Sequence, residues 1–273
     1  MDISDLINIY INKGYNLVDA SSKVSQDIIL YKISKSSLSK NVTIKGGVVM
    51  HNISNDIRRA TRDIDFDFIR YSLDDEMIEK FINKLNGATD DINIVINGKI
   101  EKLHHQDYDG KRVNVTLIDK NNYKISTKLD IGVHKDFDIM QEEYCFNFET
   151  IDESVVLFIN SKEQIFVEKL KSLLRFAYIS TRYKDVFDFY YLIKYGDLDK
   201  DKLEKYIRKI IFEDEFLKVD NFKDVSKKLK LIFNNKKFIF NLENIKVNWL
   251  NISSDEVIIT VLEYMDSFIN IMV

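Results

Sequence analysis

Residues 63–68 alternate between aspartate and a large hydrophobe, Asp63-Ile64-Asp65-Phe66-Asp67-Phe68, and that pattern leaves the backbone little choice. A period of two belongs to a strand with one buried face, because successive side chains leave a strand on opposite sides. Ile64, Phe66 and Phe68 therefore enter a core, and Asp63 and Asp65 share the other face. Carboxylates side by side on a rigid strand repel each other unless a cation lies between them, and hard oxygen ligands favour Mg²⁺. A half-buried strand whose solvent face is merely acidic has the same pattern, so the alternation alone leaves both readings open.

Its surroundings sharpen the choice. Upstream stand Gly46-Gly47, a pair whose backbone can cradle phosphate, and then Arg59-Ala60-Thr61-Arg62. Backbone amides for phosphates beside carboxylates for a cation is the layout a nucleotide-transferring site needs. In Lys124-Ile125-Ser126-Thr127-Lys128-Leu129-Asp130-Ile131 the even positions are polar, which puts Asp130 on the exposed face of a second strand. There it completes a three-carboxylate metal set or serves as general base, or it is a plain surface aspartate.

Lys169 interrupts an apolar stripe formed by Ile165, Phe166, Leu170, Leu173, Leu174 and Ala177. An ammonium turned inward needs an anion, for which a ligand phosphate would serve; snorkelling of the head to water is the competing reading. In Arg182-Tyr183-Lys184-Asp185-Val186-Phe187-Asp188, the two aspartates share a helix face, and Arg182–Asp185 and Lys184–Asp188 pairs suffice to explain them.

The chain has 273 residues, enough for one large domain or two small ones, and no proline, so turns fall to Gly, Asn and Asp. Two periodicities divide it. Residues 3–40 read as two helices parted near Gly14, and 42–150 as strand-rich. That region holds a short helix near 48–56, a helix at 74–86, and strands near 92–100, 112–119, 123–133 and 144–149. Asp109-Gly110 and Asn121-Asn122 mark turns. From 161 the pattern is helical: Ser161 and Gln164 have capping-box spacing, Thr181 is placed to cap a helix ending at Gly196, and helices follow near 200–213, 222–233 and 254–271. The expectation is an α/β (α+β) fold, with an α/β domain over 1–160 and a helical domain over 161–273.

The net charge of −4 hides an asymmetry: residues 161–240 carry 19 Lys and Arg against 13 Asp and Glu. That permits a polyanion-facing segment, although a solvated lysine-rich surface has the same composition. The lone Cys145 excludes an internal disulfide, and neither a secretion signal nor a membrane-length apolar run is present, so a cytoplasmic protein is expected. His104-His105 and the other two histidines lack zinc-ligand spacing, and no Walker loop or GxGxxG occurs.

Five motifs in order carry a resemblance: Gly46-Gly47, Arg59-x-Thr61-x-Asp63-x-Asp65, Leu129-Asp130-Ile131, Glu168-Lys169-Leu170 and Arg182-x-Lys184-Asp185-x-x-Asp188-x-x-x-Leu192. Over roughly residues 40–195 the chain resembles the AbiEii/AbiGii toxin nucleotidyltransferases of the DNA-polymerase-β-like superfamily. The resemblance implies a catalytic mixed sheet whose Asp63, Asp65 and Asp130 bind Mg²⁺. It implies nucleotide contacts from Gly46, Gly47, Arg59, Thr61, Lys169 and Arg182, and a catalytic role for Lys169 and for an acid of the Asp185/Asp188 motif, either of the two, with the helical domain completing the site. It further implies an NTP substrate, an RNA acceptor such as tRNA, and a genetically linked antitoxin acting without a stable complex. A small-molecule acceptor, as in antibiotic-modifying relatives, or a nucleotide-binding regulatory module keeps the same fold. One position departs: Val48 stands where the family commonly has Thr or Ser.

Overall fold

The computed structural model describes residues 2–89, 92–103, 110–136, 138–244 and 246–269. His104, His105 and Asp109 lie outside them. The chain divides into two units, Met1–Asn160 and Ser161–Val273.

In the first unit the Asp63 segment forms β2, Ile64–Phe68, with Asp63 one residue before its start. Its apolar face is fixed by an aromatic cluster: Phe66 and Phe68 lie 5.6 and 5.1 Å from Phe81 between ring centroids. Phe81 belongs to α4, Asp75–Asn86, whose Ile78, Ile82 and Leu85 are buried with it. Each such aromatic pair adds about 0.5–1.5 kcal/mol beyond its buried area. With one face of β2 so anchored, the aspartates face the other way.

Around β2 lie α1 (Ile3–Asn12), α2 (Leu17–Lys35), β1 (Val42–Ile44), α3 (Gly46–Ser54), β3 (Ile92–Ile96), β4 (Glu101–Leu103), β5 (Gly110–Asp119), β6 (Lys124–Val133), β7 (Glu142–Phe146) and β8 (Val155–Ile159). The sheet runs β3-β5-β6-β2-β1-β8-β7, with β4 also on β5. Pairs β2–β6 and β1–β8 are parallel and the others antiparallel, so the sheet is mixed. The β5–β6 hairpin turns at Asn121-Asn122, where the Asp119 carboxylate accepts from the Asn121 and Tyr123 N–H groups, both at 2.9 Å.

Sequence reading misses β8, because Val155-Val156-Leu157-Phe158-Ile159 is a continuous apolar run without the alternation that marks a strand, although Val156 is exposed in the structure. The expected strand at 92–100 ends at Ile96 and restarts at Glu101, past Gly98 at φ +73°. The short helix expected from 48 begins two residues earlier, at Gly46.

The second unit is helical: α5 (Lys162–Phe176), α6 (Tyr183–Tyr195), α7 (Lys200–Ile207, running into a π-helical turn through Phe212), α8 (Phe222–Phe233), α9 (Lys236–Leu242) and α10 (Ser254–Ser267). Ser161 and Ser253 cap α5 and α10 through the N–H groups of Gln164 and Glu256, both at 3.2 Å. Thr181 does not cap α6. Arg182 occupies the cap position, and its N–H is taken by the Ser180 hydroxyl at 3.2 Å. Helix α9, too short to show a period, has no counterpart in the sequence reading. No helix among the described residues is long and apolar enough to cross a membrane.

Candidate active site

The chain turns from β1 into α3 directly beside β2, and the Lys45 N–H donates to the Asp65 carbonyl at 3.0 Å. Gly46 then sits at φ +65°. A Cβ on Gly46 would lie 2.6 Å from Asp65 Oδ2, and one on Gly47 2.5 Å from Thr61 Oγ1. Either contact would push the Asp65 or Thr61 side chain aside, so the two glycines are what allow the Asp65 carboxylate and the Thr61 hydroxyl to lie against the start of α3. The first turn of a helix has N–H groups without intrahelical acceptors, which makes it an anion site. Val48, where the family commonly has Thr or Ser, is fully buried, so its side chain does not face the solvent side of the turn. The Gln26 side-chain amide donates to the Thr61 carbonyl at 2.8 Å and pins that loop. Arg59 is buried and Arg182 exposed.

Across the sheet, Asp65 stands opposite Asp130 on β6, and Asp130 opposite Arg112 on β5. The three form one row over three strands. Asp130 is buried, against the expectation of an exposed position, because Arg112 covers it: Nε and Nη2 reach its two oxygens at 2.8 and 2.7 Å. The hydrogen bonds to Asp130 hold the Arg112 guanidinium above its ordinary pKa, and the charges of Asp130 and Asp63 add to that. Beside this row Asp67 is buried with Lys45, at 2.6 Å.

Among the described residues no three His, Cys, Asp or Glu side chains gather into a metal-holding group. Asp63, Asp65 and Asp130 are not drawn into one such group, and both Asp130 oxygens are held by the Arg112 guanidinium. Asp63 is exposed and Asp65 half-buried, and both offer the hard oxygens Mg²⁺ prefers. With the glycine cradle beside Asp65, these two residues fit the ion, whereas Asp130 does not while Arg112 holds it.

Sequence reading overlooked Lys45, Asp67 and Arg112. A signal for the last existed. A hairpin centred on Asn121 puts Arg112 and Asp130 at equal distances from the turn, hence face to face.

In the helical unit Lys169 on α5 is buried and pairs with two carboxylates of α6, Asp185 and, at 3.0 Å, Asp188. The chain itself thus supplies the anion that the interrupted stripe demanded, and the head does not snorkel to water. Both aspartates of the Arg182–Asp188 segment thus face Lys169 of the neighbouring helix, and Asp188 is wholly inaccessible.

The family model for the nucleotidyl transferase AbiEii toxin of type IV toxin–antitoxin systems matches residues 28–247, and this span contains all five motifs. The chain belongs to the AbiEii family. With that membership comes an enzyme class, the nucleotidyltransferases of toxin–antitoxin systems. No curated protein matches the chain. Among solved structures, an antigenic nucleotidyltransferase-like protein from Paracoccidioides brasiliensis is similar at 16% identity and a TM-score of 0.36, covering 87% of this chain and 92% of its own.

Proposed function

We propose that this AbiEii-family chain transfers a nucleotidyl group from an NTP to the hydroxyl of an RNA acceptor such as tRNA, and that Mg²⁺ serves at Asp63 and Asp65. The observation that carries this reading is the fit of Gly46 and Gly47 against Asp65 and Thr61, which brings helix-start amides and a carboxylate to one place. The amides of the glycine turn hold phosphate oxygens, with Thr61 and Arg59 beside them, and Asp63 and Asp65 hold the cation. When bound, Mg²⁺ neutralises phosphate charge and polarises the transferred phosphoryl group.

The acceptor oxygen forms a bond to the α-phosphorus, the bond to the bridging oxygen breaks, and pyrophosphate leaves with that electron pair. The hydroxyl proton passes to a carboxylate of the acidic face. Positioning and charge neutralisation do most of the work in such a transfer. In the helical unit the Lys169–Asp185–Asp188 cluster supplies the remaining family motifs, and turnover requires it.

RNA is favoured as acceptor by the lysine face of α8 and α9. Lys223, Lys227, Lys230, Lys236 and Lys237 are exposed there, and so is Phe240, one turn beyond Lys236. Lysines track a phosphate backbone and an exposed ring stacks on a base. In the cell the family reading implies growth arrest on expression, relieved by a linked antitoxin. Supplying each α-labelled NTP with Mg²⁺ to total RNA, to tRNA and to aminoglycosides tests the reading. Label in RNA supports it, and label in a small molecule alone rejects the RNA acceptor.

A further inference from the structure

The Arg112–Asp130 pair is more than a brace between neighbouring strands. Both partners lie on the face that carries Asp65, and both Asp130 oxygens are occupied by one planar fork. A guanidinium binds a carboxylate in the way a divalent cation would, by opposite charge and fixed geometry, but it is tethered to the chain. Arg112 is also half-exposed, unlike the buried Asp130, so its head can leave toward water without disturbing the core. A buried carboxylate left without its partner is costly, so release of the fork is favoured when another cation arrives.

We propose that Arg112 is the resident counter-ion of the acidic face, holding Asp130 in the metal-free enzyme and yielding it to an incoming divalent cation. Arg112 is thus a positioning residue that sets the metal concentration at which the third carboxylate joins the site. The inference rests on the reading of Asp63 and Asp65 as cation ligands. It explains why three carboxylates expected to form a metal set are not gathered as one.

The test uses the full chain without nucleotide, so that it is independent of whether transfer to RNA occurs. Mg²⁺ affinity is measured by calorimetry, and melting temperature is followed across a Mg²⁺ titration. Arg112→Ala melts below wild type in EDTA, because Asp130 is left buried without its cation. With Mg²⁺ it regains more stability than wild type does and binds the ion about tenfold tighter, because the ion no longer has to displace charge-assisted hydrogen bonds from Asp130. Adding Asp130→Asn to Arg112→Ala abolishes that extra response. Should Arg112→Ala fail to fold, Arg112→Lys keeps a charge but loses the fork, and it shows the same gain in smaller measure. A folded Arg112 variant whose Mg²⁺ response equals or falls below that of wild type overturns the proposal, as does an undiminished response after Asp130→Asn is added. A purely structural Arg112 would lower the melting temperature with no metal-dependent recovery.

Discussion

At the scale of single residues, the site depends on side-chain atoms that glycine does without and on charges already paired. Gly46 matters because a methyl group there would press on Asp65 Oδ2, and its positive φ adds strain for any other residue. Gly46→Ala is expected to cost about 1–3 kcal/mol and to displace the Asp65 carboxylate. Calorimetric NTP–Mg²⁺ binding with the melting curve of the same sample checks this, and unchanged binding would show that the cradle is not used. Lys169 illustrates what a single sequence leaves open. Its place in an apolar stripe demanded an anion, but neither helical period nor spacing could say that the anion would come from Asp185 and Asp188 on the next helix. With both carboxylates buried, Lys169→Ala strands two negative charges and is expected to destabilise by about 3–5 kcal/mol. A melting temperature close to wild type would contradict that account, whatever the activity.

Among elements, α3 joins the glycine turn to the rest of its unit. Its His51 is buried and bonded through Nε2 to the Tyr15 hydroxyl at 3.0 Å, and Tyr15 lies in the turn between α1 and α2. Burial, with the charges of Lys23 and Arg59, pushes the His51 pKa down to about 4. The unfolded chain has an ordinary imidazole and takes up a proton near pH 6.5, whereas the folded chain resists until about pH 4. Its stabilising contribution is therefore complete above pH 6.5 and is lost as pH falls toward 4, on the order of 3 kcal/mol in all. The wild type should lose more melting temperature between pH 7 and pH 5 than His51→Gln does. Equal losses would dismiss the effect. The elements that could be read from sequence were those with a clear period or turn: β2, α4, and the hairpin at Asn121-Asn122. Strand β8 escaped because its five residues are all apolar and show no period of two, although one of them, Val156, is exposed. The burial of Asp130 escaped because it depends on a partner strand's register rather than on its own.

For the whole molecule, the two units differ in charge: the sheet of the first pairs Asp130 with Arg112 and Asp67 with Lys45 beside Asp63 and Asp65, and the second exposes lysines along α8 and α9. If the latter follows an RNA backbone, replacing Lys227 and Lys237 by Gln should weaken RNA binding at every sequence and lessen its salt dependence. The log–log slope should fall by about 0.7 for each single-strand phosphate that a lysine no longer neutralises. A slope identical to wild type would remove that face from the account. The glycine turn and the acidic strand make the stronger claim, that Asp65 carries the transfer chemistry. The most direct measurement compares label from α- and γ-labelled NTP in RNA for the wild type and for Asp65→Asn, in samples with matched melting curves. The account predicts that α-label enters RNA, that γ-label does not, and that Asp65→Asn abolishes the transfer while remaining folded. Transfer of γ-label, or undiminished transfer by folded Asp65→Asn, would contradict it.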